Sequence, residues 1–130
     1  MRTALAVIWA GLLLGGCGGG SSTRWIALRS VRITVAQPGL PPLYGRPRTS
    51  SFTTPGELAH VTAALNAHHI AKALSSSSIP GCGGGYQITI TIVPEHSSPV
   101  QLSAYRCANQ ASGDVSGDLV GFLSSVGVSL

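Results

Sequence analysis

The chain reads as an α+β domain, an antiparallel sheet of about four strands with two helices on one side. Two stretches, residues 29–36 and 86–92, alternate apolar and polar side chains with the period of a half-buried strand. Thr54-Pro55-Gly56-Glu57 opens a run with helical spacing, and a second apolar stripe at that spacing lies near residue 120. The order strand, strand, helix, strand, strand, helix places helices against one face of an antiparallel sheet.

In the first strand, Val31, Ile33 and Val35 share one face, while Ser30, Arg32 and Thr34 share the other. Residues 37–47 hold four prolines and two glycines, which remove ladder donors and favour turns, so the strand ends there. Residues 48–53 make a short second strand. Thr54 supplies a helix-capping hydroxyl, Pro55 suits the first helical position, and Glu57 completes a capping box ahead of Leu58, Val61 and Leu65. The predicted helix runs from Pro55 to His68 or a little beyond, and Ser75–Ser78 follows as a polar loop.

Tyr86, Ile88, Ile90 and Ile92 then alternate with Gln87, Thr89 and Thr91, giving the clearest strand of the chain. Residues 94–99 turn it round into a weaker partner at 100–107. Setting Val93 opposite Val100 brings Tyr86 opposite Cys107. Asp114 or Ser116 is the expected cap of a last helix with Val115, Leu119, Phe122, Leu123 and Val126 on its apolar stripe and Asp118 in its first turn.

A chain of 130 residues supplies one domain. Charged residues are 9%, against roughly 25% in a typical soluble protein, and 26 serines and threonines stand in their place. The surface is therefore wetted mainly by hydroxyls. The net charge of +4 is spread thinly, without the dense basic patch or interleaved aromatics that nucleic-acid binding needs.

The chain begins with one arginine and an unbroken apolar run from Ala4 to Leu14, the outline of a signal peptide. Eleven helical residues rise only about 16 Å, half the hydrocarbon core of a bilayer. Leu14-Gly15-Gly16-Cys17 resembles the lipobox of bacterial lipoproteins, which implies lipidation of Cys17 and cleavage before it; ordinary cleavage near Gly16 is the alternative. Residues 1–16 are then a lipoprotein signal peptide, 17–24 a flexible tether and 25–130 the domain. GGGSST at 18–23 has an r.m.s. reach of about 13 Å. The resemblance places the protein outside the cytoplasm, held to the outer face of the cell membrane by lipid. Arg24, Arg29 and Arg32 lie near enough to the tether to meet anionic headgroups.

With Cys17 assigned to lipid, Cys82 and Cys107 remain as an even pair for one disulfide in an oxidising compartment. Closing that 26-residue span stabilises a small domain by about 3.5 kcal/mol in the chain-entropy model.

No group of side chains converges on a chemistry. His68 and His69 point about 100° apart on a helix, and His60 lies about 12 Å along the axis from His68, so one zinc ion cannot gather them. The stretch from Gly113 to Asp118 lacks the G-x-S-x-G spacing of a nucleophile elbow, and the glycine triplet at 83–85 precedes a strand instead of opening a helix. No metal, cofactor or enzymatic activity is expected. Leu40, Pro41, Pro42, Leu43 and Tyr44 form a stiff segment presenting an aromatic, either as a contact loop or tucked into the core.

From Trp25 onward the layout is similar to the subtilisin-inhibitor-like family of small secreted bacterial proteins: a strand pair, a proline-initiated helix, Cys82, three residues, Tyr86, an apolar strand, a hairpin and Cys107. The resemblance implies that residues 83–85 are offered to a protease. Here they are three glycines, which neither fill a specificity pocket nor rigidify the loop. The family's other disulfide is missing, with Phe52 and Ala63 or Ala64 near its cysteine positions. The functional expectation is a membrane-anchored surface lipoprotein acting as a non-enzymatic binding module, with a protein or cell-envelope partner. The alternatives are a protease-inhibitor-like secreted protein and, remotely, a small extracytoplasmic enzyme.

Overall fold

A computed structural model describes residues 24–37, 46–77, 84–107 and 110–130. The signal segment, Cys17, the tether through Thr23, the segment Leu40–Tyr44 and Cys82 lie outside them. The architecture is α+β: one antiparallel sheet of six strands and two helices. In chain order these are β1 (Leu28–Ala36), β2 (Arg48–Phe52), α1 (Pro55–Ala67), β3 (Ala71–Ser77), β4 (Tyr86–Pro94), β5 (Val100–Cys107), β6 (Gln110–Ser116) and α2 (Leu119–Ser125). Across the sheet the order is β2-β1-β4-β5-β6-β3.

Three rows across β1, β4 and β5 form the buried side: Val31, Ile92 and Val100; Ile33, Ile90 and Leu102; Val35, Ile88 and Ala104. Val61, Ala64 and Leu65 of α1 and Leu119, Phe122 and Leu123 of α2 join the same core. Each large apolar side chain removed from water there contributes about 1.5–3 kcal/mol before entropy is counted. Trp25 locks the chain's approach to β1. Its indole N–H donates to the Ile70 carbonyl at 2.6 Å, and its backbone exchanges two 2.8 Å bonds with the Asn66 side chain.

Helix α1 starts as its sequence dictates. The Thr54 hydroxyl accepts from the Glu57 N–H, while the Glu57 carboxylate accepts from the backbone of Thr54 and Thr53. His68 caps the other end, and His69, at φ 53°, turns the chain toward the buried Ile70.

The sheet departs from expectation in number, register and capping. Two further strands exist, β3 and β6, where the sequence suggests a polar serine loop and the start of the last helix. Serine, glycine and aspartate are poor strand formers, so nothing local announces these strands. They pair with each other, and β6 pairs in turn with β5.

The β4–β5 register differs by one residue from the expected one. Ile92 stands opposite Val100, and Tyr86 opposite Arg106 instead of Cys107. A one-residue slip moves every side chain of a strand to the other face. The observed register sets Ile88 against Ala104 and Ile90 against Leu102, whereas the alternative would face isoleucines with Tyr105, Ser103 and Gln101. Burial of one face decides it.

The cap of α2 is Asp118, not Asp114 or Ser116: its carboxylate accepts from the Gly121 N–H at 3.0 Å. Asp114 belongs to β6, where its carboxylate takes the Ser103 N–H at 2.7 Å, and the Ser116 hydroxyl donates to Ala71. Gly117, at φ 99°, lies where a Cβ would strike the His68 and His69 carbonyls, so only glycine permits that join.

Candidate binding surfaces

Period two along each strand fixes what the sheet shows on the side opposite α1 and α2. Ser51, Arg32, Thr91 and Gln101 form one row across β2, β1, β4 and β5. Thr49, Thr34, Thr89 and Ser103 form the next. Ala36, Gln87, Tyr105 and Ser112 form a third across β1, β4, β5 and β6. Neighbouring strands are about 4.8 Å apart, so the middle row presents four hydroxyls over about 14 Å. Thr34 and Thr49 hydroxyls touch at 3.1 Å, and the Gln87 amide donates to the Ala104 carbonyl. All these residues are exposed or half-buried. Arg32 is the one charged residue of the three rows.

Hydroxyls both donate and accept, so this surface matches a ligand that is itself rich in hydroxyl or amide groups. It offers no large apolar patch for a protein core to bury.

A different surface lies at the end of the sheet where β1 stops and β2 begins. Val35, Ala36, Gln37, Arg46, Arg48, Tyr86 and Leu130 line a cavity of about 370 Å³. The Arg48 guanidinium donates to the Ser129 carbonyl at 2.9 Å. At the opposite end, a groove of about 520 Å³ runs between residues 24–28 and α1, with Ile26 71% exposed on its rim.

The four side-chain carboxylates are each committed elsewhere. The Thr54 and Thr53 N–H groups at the start of α1 hold Glu57 below its ordinary range. Asp118 is lowered by the Gly121 N–H and, to a lesser degree, by His68, whose Nδ1 is 3.2 Å away. Asp114 pairs with Lys72 at 3.8 Å, and Glu95 lies 3.8 Å from His96. His60 Nε2 is 2.9 Å from the Ser125 carbonyl and joins the two helices. Among the described residues no three His, Cys, Asp or Glu side chains are placed to hold a metal ion.

Of the residues singled out in sequence, Cys107 ends β5, while Cys17, Cys82 and Leu40–Tyr44 lie outside the described residues. Gln37 and Arg46, on either side of residues 38–45 in sequence, both line the corner cavity. Gly85 is buried, and a Cβ there would collide with the Tyr105 ring and the Arg106 carbonyl. Gly84 is exposed with φ 87°. The sequence reading missed the polar rows and the Arg46–Arg48–Tyr86 grouping. The alternating Thr34, Thr89 and Thr91 were visible signals, but only the strand register aligns them.

No protein-family model matches the chain, and neither a curated protein nor a solved structure does.

Proposed function

We propose that this chain is a lipid-anchored extracytoplasmic protein whose domain is a non-enzymatic binding module, presenting the uncovered face of its sheet to a hydroxyl-rich partner in the cell envelope. The observation that carries the reading is the middle polar row: Thr49, Thr34, Thr89 and Ser103 align four uncharged hydroxyls across four adjacent strands on the face opposite α1 and α2. The anchor rests on the apolar run and Cys17, followed by six glycine, serine and threonine residues before Arg24. Cys82 and Cys107 form the disulfide in this reading. Cys107 ends β5, and Cys82 is the cysteine left to pair with it once Cys17 carries lipid.

Mass spectrometry of the mature N-terminus tests the anchor. The expected species begins at Cys17 with acyl groups attached, and Cys17→Ser is expected to release the protein from membranes; an unmodified Cys17 overturns the anchor. Co-sedimentation with isolated envelope polysaccharide tests the face. Thr89→Arg puts a charge in the middle row without touching the core and is expected to abolish binding; unchanged binding overturns the assignment. Inhibition of a serine protease that responds to exchange of Gly84 would instead favour the inhibitor alternative.

A further inference from the structure

The charges of this chain are few, and their placement is uneven. Four side-chain carboxylates are present, and each already has a partner: Glu57 at the α1 cap, Asp118 at the α2 cap with His68, Asp114 with Lys72, and Glu95 beside His96. Arg46 and Arg48 stand apart from all four. Among the described residues, neither has an acidic group within 4.0 Å. Both line one cavity of about 370 Å³, together with the Gln37 amide and Tyr86.

We infer that this corner cavity is a binding site for an oxyanion, a carboxylate or phosphate group carried by an envelope polymer. Two guanidinium groups supply donors in the planar arrangement that carboxylate and phosphate oxygens accept bidentately. The Arg48 side chain is held in place by its bond to the Ser129 carbonyl, a neutral acceptor that positions the guanidinium. Arg46 has no hydrogen-bond partner among the described residues and is the freer of the two. Gln37 and Tyr86 add neutral polar groups to the wall, and the volume lies within the ordinary range for a ligand site. The inference rests on the extracytoplasmic reading of the proposed function for its envelope polymer but not on the polar rows, to which Arg46, Arg48, Gln37 and Tyr86 do not belong.

Titration of the full-length protein with polyphosphate, polygalacturonate and neutral dextran, followed by calorimetry at two salt concentrations, tests it. Polyphosphate or polygalacturonate is expected to bind, with affinity falling as salt rises, and Arg46→Gln is expected to weaken that binding about tenfold, the scale of one lost charge-assisted contact. Arg29→Gln, at the opposite end of β1, removes the same net charge and is expected to leave binding unchanged. Preference for one acidic polymer identifies the group as phosphate or carboxylate. Equal loss in both variants reduces the effect to net charge and overturns the site. Dextran binding as tightly as the acidic polymers, or Arg46→Gln binding like the unaltered protein, overturns it too. Arg46→Gln is the chosen variant because Arg48 also holds Ser129, so its replacement would disturb the fold.

Discussion

The two faces of one sheet are built from the same strands and differ in almost every physical respect. On one, Ile33, Ile90 and Leu102 sit side by side with no exposed surface; on the other, one residue away along each strand, Thr34, Thr89 and Ser103 sit side by side half-buried. The covered face is held by volume and shape, because its side chains have no other apolar surroundings to move to. The open face is held only by the register that the covered one imposes. Its order is inherited, so it is free to vary in chemistry at little cost in stability, which is what a binding surface requires.

Stability measurements on paired substitutions test that contrast most sharply. Ile90→Ala is expected to cost about 2–5 kcal/mol, while its neighbour Thr89→Ala changes stability by roughly 0.5 kcal/mol or less. Comparable losses from the two by denaturant unfolding would mean that the open face is packed against something and would break the distinction.

Cys107→Ser extends the comparison to covalent restraint. It is expected to destabilise by about 3.5 kcal/mol if the partner is Cys82. A loss that vanishes when the parent is first reduced confirms the disulfide as its source, and one that persists under reduction assigns it to packing at the end of β5.

Thr54→Ala is expected to cost about 1 kcal/mol, read by thermal unfolding. Its partner sharpens this with pH. Folding lowers the Glu57 carboxyl below its ordinary 4.5, so the stability it contributes is present above that pH and disappears as pH falls through the folded value. Glu57→Gln should therefore flatten the acid limb of the stability profile and leave the neutral plateau lower; an unchanged acid limb counts against the capping carboxylate.

Much of the fold was legible because its signals are local. Thr54, Pro55 and Glu57 specify the start of α1 within four residues, and Tyr86–Ile92 declares its strand by alternation alone. β3 and β6 were illegible for the converse reason. Ser75, Gly113 and Asp114 favour turns and caps in isolation, and only the neighbouring strands give them a ladder to join. Asp114 illustrates the competition: as the helix cap expected from sequence it would take an amide at the start of α2, yet it takes the Ser103 amide across the sheet. The proposed binding surfaces were less legible still. Arg46 and Arg48 are unremarked in a proline-rich stretch until Val35 and Tyr86 are set around them.

The sequence by itself determined the helix that begins at Pro55, the strands around Ile33 and Ile90, and the side of each strand that must leave water. Those depend on contacts within a few residues or on the simple alternation of side chains. Tertiary structure alone decided the six-strand order, the β4–β5 register, and hence which threonines and arginines stand together. These depend on pairings between residues tens of positions apart, and the deciding energy, the shared burial of one apolar face, does not exist until the strands meet.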